Sequence, residues 1–502
     1  MILNQSLFDS GPPPDCPPRF NLAAHTLFDG QPADKIALTV AGARPARWTY
    51  AALRDAVART AGGFRLAGLK RGERVLLRLG NSADFPIVYL GAIAAGGVAV
   101  PTSTQLSAAE LRHIAADVGA RFACIGPGLG INGLAPEALD PTALRDAAPA
   151  APAETAADDS AFIVYTSGSS GKPKGVAHAQ RAGWARRMMW EGWYGLGEAD
   201  TMLHAGAFNW TYTLGAGLLD PWAAGAATVI YDGPPDPGMW SRLARAHGAT
   251  IFAATPGVYR QLLKYGVDVG EGFAGLRHGL SAGEKLPESL AEAWRAETGK
   301  PVYEALGMSE VSTYVSGAPG AAPPPGFIGR PQPGRRVAVL GMGTDRIAPL
   351  GMEGDLAVSR RDPGLMLGYW NAPEETAAAF RGEWFVTGDR AAMDASGHVA
   401  YLGRADDMIN AGGYRVAPQE VEDALLAHPG VVECAAVALP VREDVTILAA
   451  FVVAPGLDAA TLHAWCAERL AAYKQPRRIT LTDSLPRTAT GKLRRRALIA
   501  GS

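Results

Sequence analysis

Within the stretch YTSGSSGKPKGVAH, Tyr165–His178, lie three glycines, four Ser/Thr hydroxyls and two lysines around one proline. Small residues let backbone N–H groups converge on an anion, the hydroxyls of Thr166, Ser167, Ser169 and Ser170 add donors, and Lys172 and Lys174 add charge. Phosphate is the anion that such a set suits. The P-loop form is excluded, because it requires GxxxxGK[ST]. Here Gly171-Lys172 is followed by Pro173, and the spacing from Gly168 is too short. On the residues alone two readings stand side by side, a phosphate cradle and a flexible Ser/Gly turn.

The stretch resembles the signature loop of the adenylate-forming superfamily of acyl-CoA synthetases, firefly luciferase and peptide-synthetase adenylation domains. The resemblance continues in order along essentially the whole chain after residue 20. It implies that Thr166, Ser167, Gly168, Ser169, Ser170, Gly171 and Lys174 hold the β- and γ-phosphates of ATP. Ser281-Ala282-Gly283-Glu284 resembles the family's adenine turn. Glu304-Ala305-Leu306-Gly307-Met308-Ser309-Glu310 resembles its [aromatic]-G-x-T-E element, with leucine and serine substituted. Glu310 is thereby expected to bind Mg²⁺, a hard cation that prefers oxygen, and Ser309 to touch the α-phosphate or the acid's carboxylate. Thr387-Gly388-Asp389 resembles the turn whose aspartate accepts the ribose hydroxyls. Gly403-Arg404-Ala405-Asp406-Asp407-Met408-Ile409-Asn410 resembles the hinge, with Arg404 on ribose or phosphate and Asp406 as pivot. Gly412 and Gly413 are expected to pass pantetheine, and Arg415 to approach a phosphate. Leu485–Lys492 is similar to the C-terminal lysine loop, which makes Lys492 the cation of the adenylation step.

Leu218–Trp222, Thr255–Arg260, Gly283–Leu290 and the GRADDMIN element look closest to medium-chain acyl-CoA synthetases and benzoate-CoA ligases. In that branch Phe208, Trp210 and Tyr212, with Gly307, build the acyl pocket. Trp210 reads equally as pocket floor or core filler. No Arg or Lys occurs in Ala205–Asp220, so the expected acid has an uncharged, mostly apolar tail: a benzoate-like aryl acid or a short-to-medium aliphatic one. The implied reaction forms acyl-AMP and pyrophosphate from acid and Mg-ATP, then acyl-CoA and AMP. ATP, Mg²⁺ and coenzyme A are the cofactors and co-substrate. The expected partners are small molecules, with neither nucleic acid nor membrane insertion; a homodimer and a lysine acetyltransferase acting on Lys492 complete the set. Two rivals are an enzyme that loads a carrier protein and a non-catalytic acyl/nucleotide sensor. Relatives carry a glycine near Asp444 that this chain lacks, so CoA contacts are not carried over to that loop.

These residues need elements to position them. Hydrophobic residues make up 48 % of the 502 and charged residues 19 %, enough for several cores. The formal charge of −2 argues against a general binder of nucleic acid or anionic lipid. Four cysteines far apart, none in a CxxC pair, read as free thiols of a reducing cytoplasm. The first residues lack the basic-then-apolar pattern of a signal peptide. Helices are expected at Tyr50–Ala67, Phe85–Ala95, Ser107–Val118, Met239–His247 and Pro256–Lys264. Strands are expected at Arg74–Leu79, Gly97–Pro101, Arg121–Ile125, Ala161–Tyr165, Ala227–Tyr231 and Thr250–Ala254. That alternation predicts α/β architecture with mostly parallel sheets. Gly11–Arg19 reads as a surface arm and Pro141–Asp159 as a linker. Beyond Val337 short strands predict a β-rich subdomain. After Gly403, Pro418–Ala427, Val431–Leu439, Leu448–Val453 and Ala459–Leu470 predict a small α+β unit. Residues 1–403 form the expected ATP- and acyl-binding domain, and 404–502 a mobile lid.

Overall fold

The helix–strand alternation builds two large sheets in a computed structural model, which describes residues 5–130, 133, 135–167, 173–234, 236–405, 409–411, 414–442, 445–471, 474–487 and 493–500. One sheet has nine strands, six of them parallel: Ile36–Gly42, Ala227–Asp232, Thr201–His204, Ile251–Ala254, His278–Ala282 and Val302–Met308. The other has seven. Its parallel centre ends at Ser160–Ser167, which turns back antiparallel through Pro173–Ala179. Helices Tyr50–Leu66 and Asp84–Ala94 lie between the sheets, and every residue from Phe85 to Ala94 is buried. One core cluster joins Val75 and Leu77 of the seven-stranded sheet to Leu38 and Ile230 of the nine-stranded one. A helix wholly enclosed in this way cannot be amphipathic, which explains its continuous apolar sequence.

Local signals end the helices as expected. Ser107 caps Ala108–Asp117 in a full capping box with Glu110, and Thr49 accepts the Ala52 N–H at the start of Tyr50–Leu66. The segment expected as a linker is instead a strap. Its short helix Ala143–Asp146 packs on Tyr50–Leu66 so closely that a Cβ on Gly63 would lie 2.3 Å from the Leu144 carbonyl oxygen. The amides of Ala150 and Ala153 bond the carbonyls of Ala58 and Ala94. The N-terminal arm also contributes more than a surface path: Leu7–Asp9 pairs antiparallel with Arg336–Leu340.

That pairing adds a strand to the β-rich sheet, which continues through Gly354–Ser359, Trp384–Met393 and Val399–Arg404. The last unit holds the sheet Glu433–Arg442, Val445–Val453 and Arg478–Leu481 with helices Pro418–Leu426 and Ala459–Arg469. It has its own core around Val421, Leu425, Leu448 and Cys466. Among the described residues, no helix is long and apolar enough to cross a membrane.

Candidate functional site

Ligand crevices in α/β sheets form outside the carboxyl ends of parallel strands. The expected residues gather there. Ser167 ends Ser160–Ser167, Gly283 follows His278–Ala282, and Ser309 and Glu310 follow Val302–Met308. Gly168, Ser169, Ser170, Gly171, Lys172, Asp406, Gly412, Gly413, Asp444 and Lys492 lie outside the described residues. Arg415 is described by its backbone alone, in the strand Tyr414–Val416.

At the turn after Val302–Met308 the register with Ser312–Ser316 slips between Leu306 and Gly307. A Cβ on Gly307 would lie 2.7 Å from both the Ser312 oxygen and the Thr313 Cα, so only glycine lets the strands close here. Ser312 itself takes a left-handed backbone, φ +66°, a conformation that costs a non-glycine residue free energy and clusters at functional sites. The Glu310 carboxylate is 9 % exposed and accepts the Tyr369 hydroxyl at 2.8 Å. Lys174, opposite Thr166 in the hairpin, places its ammonium 5.2 Å from the centre of the Tyr369 ring. Tyr369 therefore links the glycine-rich hairpin to Glu310. Sequence reasoning did not single it out, because its role depends on a contact 59 residues away in the chain. The Ser309 carbonyl accepts from His178 Nε2 at 2.7 Å. A carbonyl can only accept, so the proton sits on Nε2; burial lowers His178 to about 4 and keeps it neutral.

Opposite stand Asp389 and Arg404, paired in the hairpin of Trp384–Met393 with Val399–Arg404. Their ion pair measures 3.2 Å, and Arg404 Nη1 also donates to the Thr387 carbonyl at 3.0 Å. Burial raises the Asp389 carboxyl while Arg404 opposes the shift. At Gly388 (φ +76°) a Cβ would come within 2.9 Å of the guanidinium. Glycine thus allows the turn its conformation and the arginine its approach.

The third group surrounds Gly283 (φ +96°), whose missing Cβ leaves room for the Trp210 indole, 3.1 Å from where that atom would lie. Trp210 meets Tyr212 edge to face at 6.0 Å, and the Tyr212 hydroxyl donates to the Leu280 carbonyl. Phe208 sits deeper, stacked on Phe85 in the core between the sheets. Leu306 packs towards the β-rich core, and Ala305 is buried. Glu304 accepts the Leu286 N–H at 2.7 Å, and burial pushes its carboxyl up from 4.5 to about 7. The folded protein then keeps a proton between about pH 4.5 and 7 that the unfolded chain has lost. This group's contribution to stability falls as pH rises through that window. Glu304→Gln keeps the acceptor and removes the ionisation, so it is expected to flatten the loss of thermal midpoint between pH 5 and 8; an unchanged pH slope would contradict this.

Beside Ser309 lies a cavity of about 420 Å³, within the range of small-molecule sites, about 300–1,000 Å³. Thr211 and Gly215 form one wall, His178, Arg186 and Ser312 the other. The stretch Ala205–Asp220 lacks a cation, yet folding brings Arg186 to it. The guanidinium grips Asp220 twice, at 2.8 and 2.6 Å, and donates to Ser312 Oγ at 2.7 Å. It lies against bare helix backbone: a Cβ on Gly215 would be 1.6 Å from Nη2. Burial opposes its charge, but Asp220 more than offsets this and raises its pKa.

Among the described residues no cluster of three or more His, Cys, Asp or Glu side chains could hold a metal ion. Glu310 alone, a carboxylate at the end of a strand, suits a Mg²⁺ that keeps waters and substrate phosphates as its other ligands.

The family model for AMP-binding enzyme matches residues 26–370, and that for the AMP-binding enzyme C-terminal domain matches residues 420–492. The chain is 34 % identical over 491 residues to the 3-hydroxybenzoate--CoA ligase of Aromatoleum sp. (strain CIB), covering 92 % of each chain. It is 32 % identical to the benzoate--CoA ligase of Thauera aromatica, covering 95 % of each. Among solved structures, a benzoate CoA ligase from Burkholderia xenovorans superposes with a TM-score of 0.86 at 31 % identity, over 95 % of this chain and 99 % of that one. ATP-bound MatB from Rhodopseudomonas palustris gives 0.88 at 28 %, over 96 % and 98 %.

Proposed function

Since the chain belongs to the AMP-binding enzyme family, we infer that it is an ATP-dependent carboxylic acid:CoA ligase of the AMP-forming type. It acts on an aryl, benzoate-like acid or a short-to-medium aliphatic one. The observation that carries this reading is the convergence of Thr166, Lys174, Tyr369 and Glu310 beside Ser309 at the strand ends.

The acid's carboxylate attacks the α-phosphorus of ATP, an acyl–O–P bond forms, and the bond to pyrophosphate breaks. Charge accumulates on the phosphoryl oxygens, and fixed cations and donors there lower the barrier. Lys174, the hydroxyls of Thr166 and Ser309 and the hairpin's amides are the chain's own supply, with Lys492 arriving from the last unit. Mg²⁺, held by Glu310, neutralises phosphate charge when bound. Asp389 accepts the ribose hydroxyls, and Arg404 steadies it. The CoA thiolate then attacks the acyl carbon and AMP leaves.

The second step calls for a different orientation of the last unit, residues 404–502, with its pivot at Asp406. Ion pairs that span this boundary support a reversible contact: Lys285 with Asp423 at 2.6 Å and Arg487 with Glu284 at 3.2 Å. Part-exposed pairs of this kind contribute only about 0–1 kcal/mol each, so the two units separate cheaply. The cytoplasm, a homodimer and an acetyltransferase acting on Lys492 belong to the same proposal.

The test is pyrophosphate release from ATP, Mg²⁺ and a panel of benzoates and C2–C10 acids. Release that requires one class of acid, followed by thioester on adding CoA, is the expected result. Release with transfer only to a pantetheinylated carrier protein would favour the carrier-loading enzyme. No release with any acid would favour the sensor.

A further inference from the structure

The cavity beside Ser309 presents hydrogen-bonding groups that a purely apolar acid tail leaves unpaired. Arg186 has five N–H groups. Nε and Nη2 donate to Asp220, Nη2 also to the Tyr194 hydroxyl at 3.2 Å, and Nη1 to Ser312. One Nη1–H has no recorded partner among the described residues. Across the same cavity His178 is 3 % exposed, and its Nδ1 is buried with no hydrogen-bond partner. Because Nε2 carries the proton for the Ser309 carbonyl, Nδ1 is a bare acceptor. Ser312 adds a hydroxyl that its left-handed backbone holds in place.

The wall is electrically balanced. Arg186 is matched by Asp220, and Arg335, which also lines the cavity, by Asp362 at 2.5 Å. A second carboxylate entering here would find no unmatched cation. A neutral group able both to donate and to accept would satisfy both sides. Resting on the ligase reading, we propose that this cavity selects aryl acids carrying a ring hydroxyl, whose O–H donates to His178 Nδ1 while its oxygen accepts from Arg186 Nη1 or Ser312 Oγ. His178, Arg186 and Ser312 are then specificity determinants of the adenylation step. The mostly apolar tail expected from Ala205–Asp220 is corrected by residues that lie outside that stretch.

A buried group left without its partner costs free energy, so a site built for a hydroxyl rejects an analogue that lacks one far more strongly than an apolar pocket discriminates by size. The experiment compares kcat/KM for pyrophosphate release by the full-length enzyme across the three monohydroxybenzoates, the three methylbenzoates and benzoate. The methyl group controls for volume. At least one hydroxybenzoate is expected to exceed both its methyl counterpart and benzoate by about tenfold or more. Arg186→Lys keeps a charge beside Asp220 but loses the fork, and is expected to collapse that ratio towards one. If this variant fails to fold, the wild-type panel decides alone. Methylbenzoates or benzoate used as well as every hydroxybenzoate would overturn the inference and leave the ligase reading intact. Silence with every acid would overturn the ligase reading and this inference with it.

Discussion

Lys492→Ala is expected to lower pyrophosphate release by about 10²–10³-fold, the cost typical of losing one fixed electrostatic contact to a charged transition state. Thioester formation from supplied acyl-AMP and CoA is expected to persist. The argument starts at the base of the loop that carries the lysine. Arg487 and Leu493 form an antiparallel bridge, and the Arg494 N–H bonds the Pro486 carbonyl, so the intervening residues form a closed loop. Arg487 in turn pairs with Glu284, next to the adenine turn, and with Glu433 of its own unit. The loop therefore springs from the edge of the proposed nucleotide site. An ammonium that acts only on the charge built up during adenylation has no task once acyl-AMP exists, hence the split between the half-reactions. Acetylation of Lys492 removes the same charge and should reproduce the same split. Equal loss of both half-reactions, in the variant or in site-specifically acetylated protein, would count against the role.

Asp362→Ala is expected to destabilise the protein by about 3–5 kcal/mol, the cost of breaking a buried ion pair from one side. Arg335 is 0 % exposed, and its Nη1 donates to Asp362 Oδ1 at 2.5 Å while Nη2 donates to the Thr313 carbonyl at 2.9 Å. Asp362 also accepts the Gly364 N–H at 2.8 Å. With the carboxylate gone, the guanidinium stays buried against one carbonyl with its charge uncompensated. Removing both charges, in Arg335→Met/Asp362→Leu, should recover much of the loss, because each desolvation penalty disappears with its charge. Equilibrium denaturation of the variants checks both statements. A midpoint for Asp362→Ala equal to that of the native protein would show that water reaches this pair.

Ion pairs at the unit boundary and ion pairs in the cavity wall have opposite consequences for the same chemistry. Lys285 and Asp423 keep 19 % and 41 % of their side chains exposed, whereas Arg335 and Asp362 keep 0 % and 1 %. Solvent screens the first pair, so it breaks and re-forms at little cost. The second is locked, and holds the strand that carries Ser312 against the acyl cavity.

Much of this protein is written in short-range patterns. The Ser107 capping box, the strand that feeds Tyr165 into the glycine-rich hairpin, and the order of Gly283, Glu310, Asp389 and Lys492 along the chain could all be read from neighbouring residues. Propensity, capping and motif spacing act within a few positions, so the linear text carries them. The text did not show that residues 143–153 strap a helix rather than link domains, that Leu7–Asp9 completes a distant sheet, or that Tyr369 joins Lys174 to Glu310. Nor did it show Arg186 in the acyl cavity, held by Asp220, 34 residues away, and by Ser312, 126 away. Those facts arise only when two sheets close around buried helices and bring remote side chains within hydrogen-bonding distance. The reaction class was therefore legible in sequence, while the polarity of the pocket that chooses the acid was decided by packing.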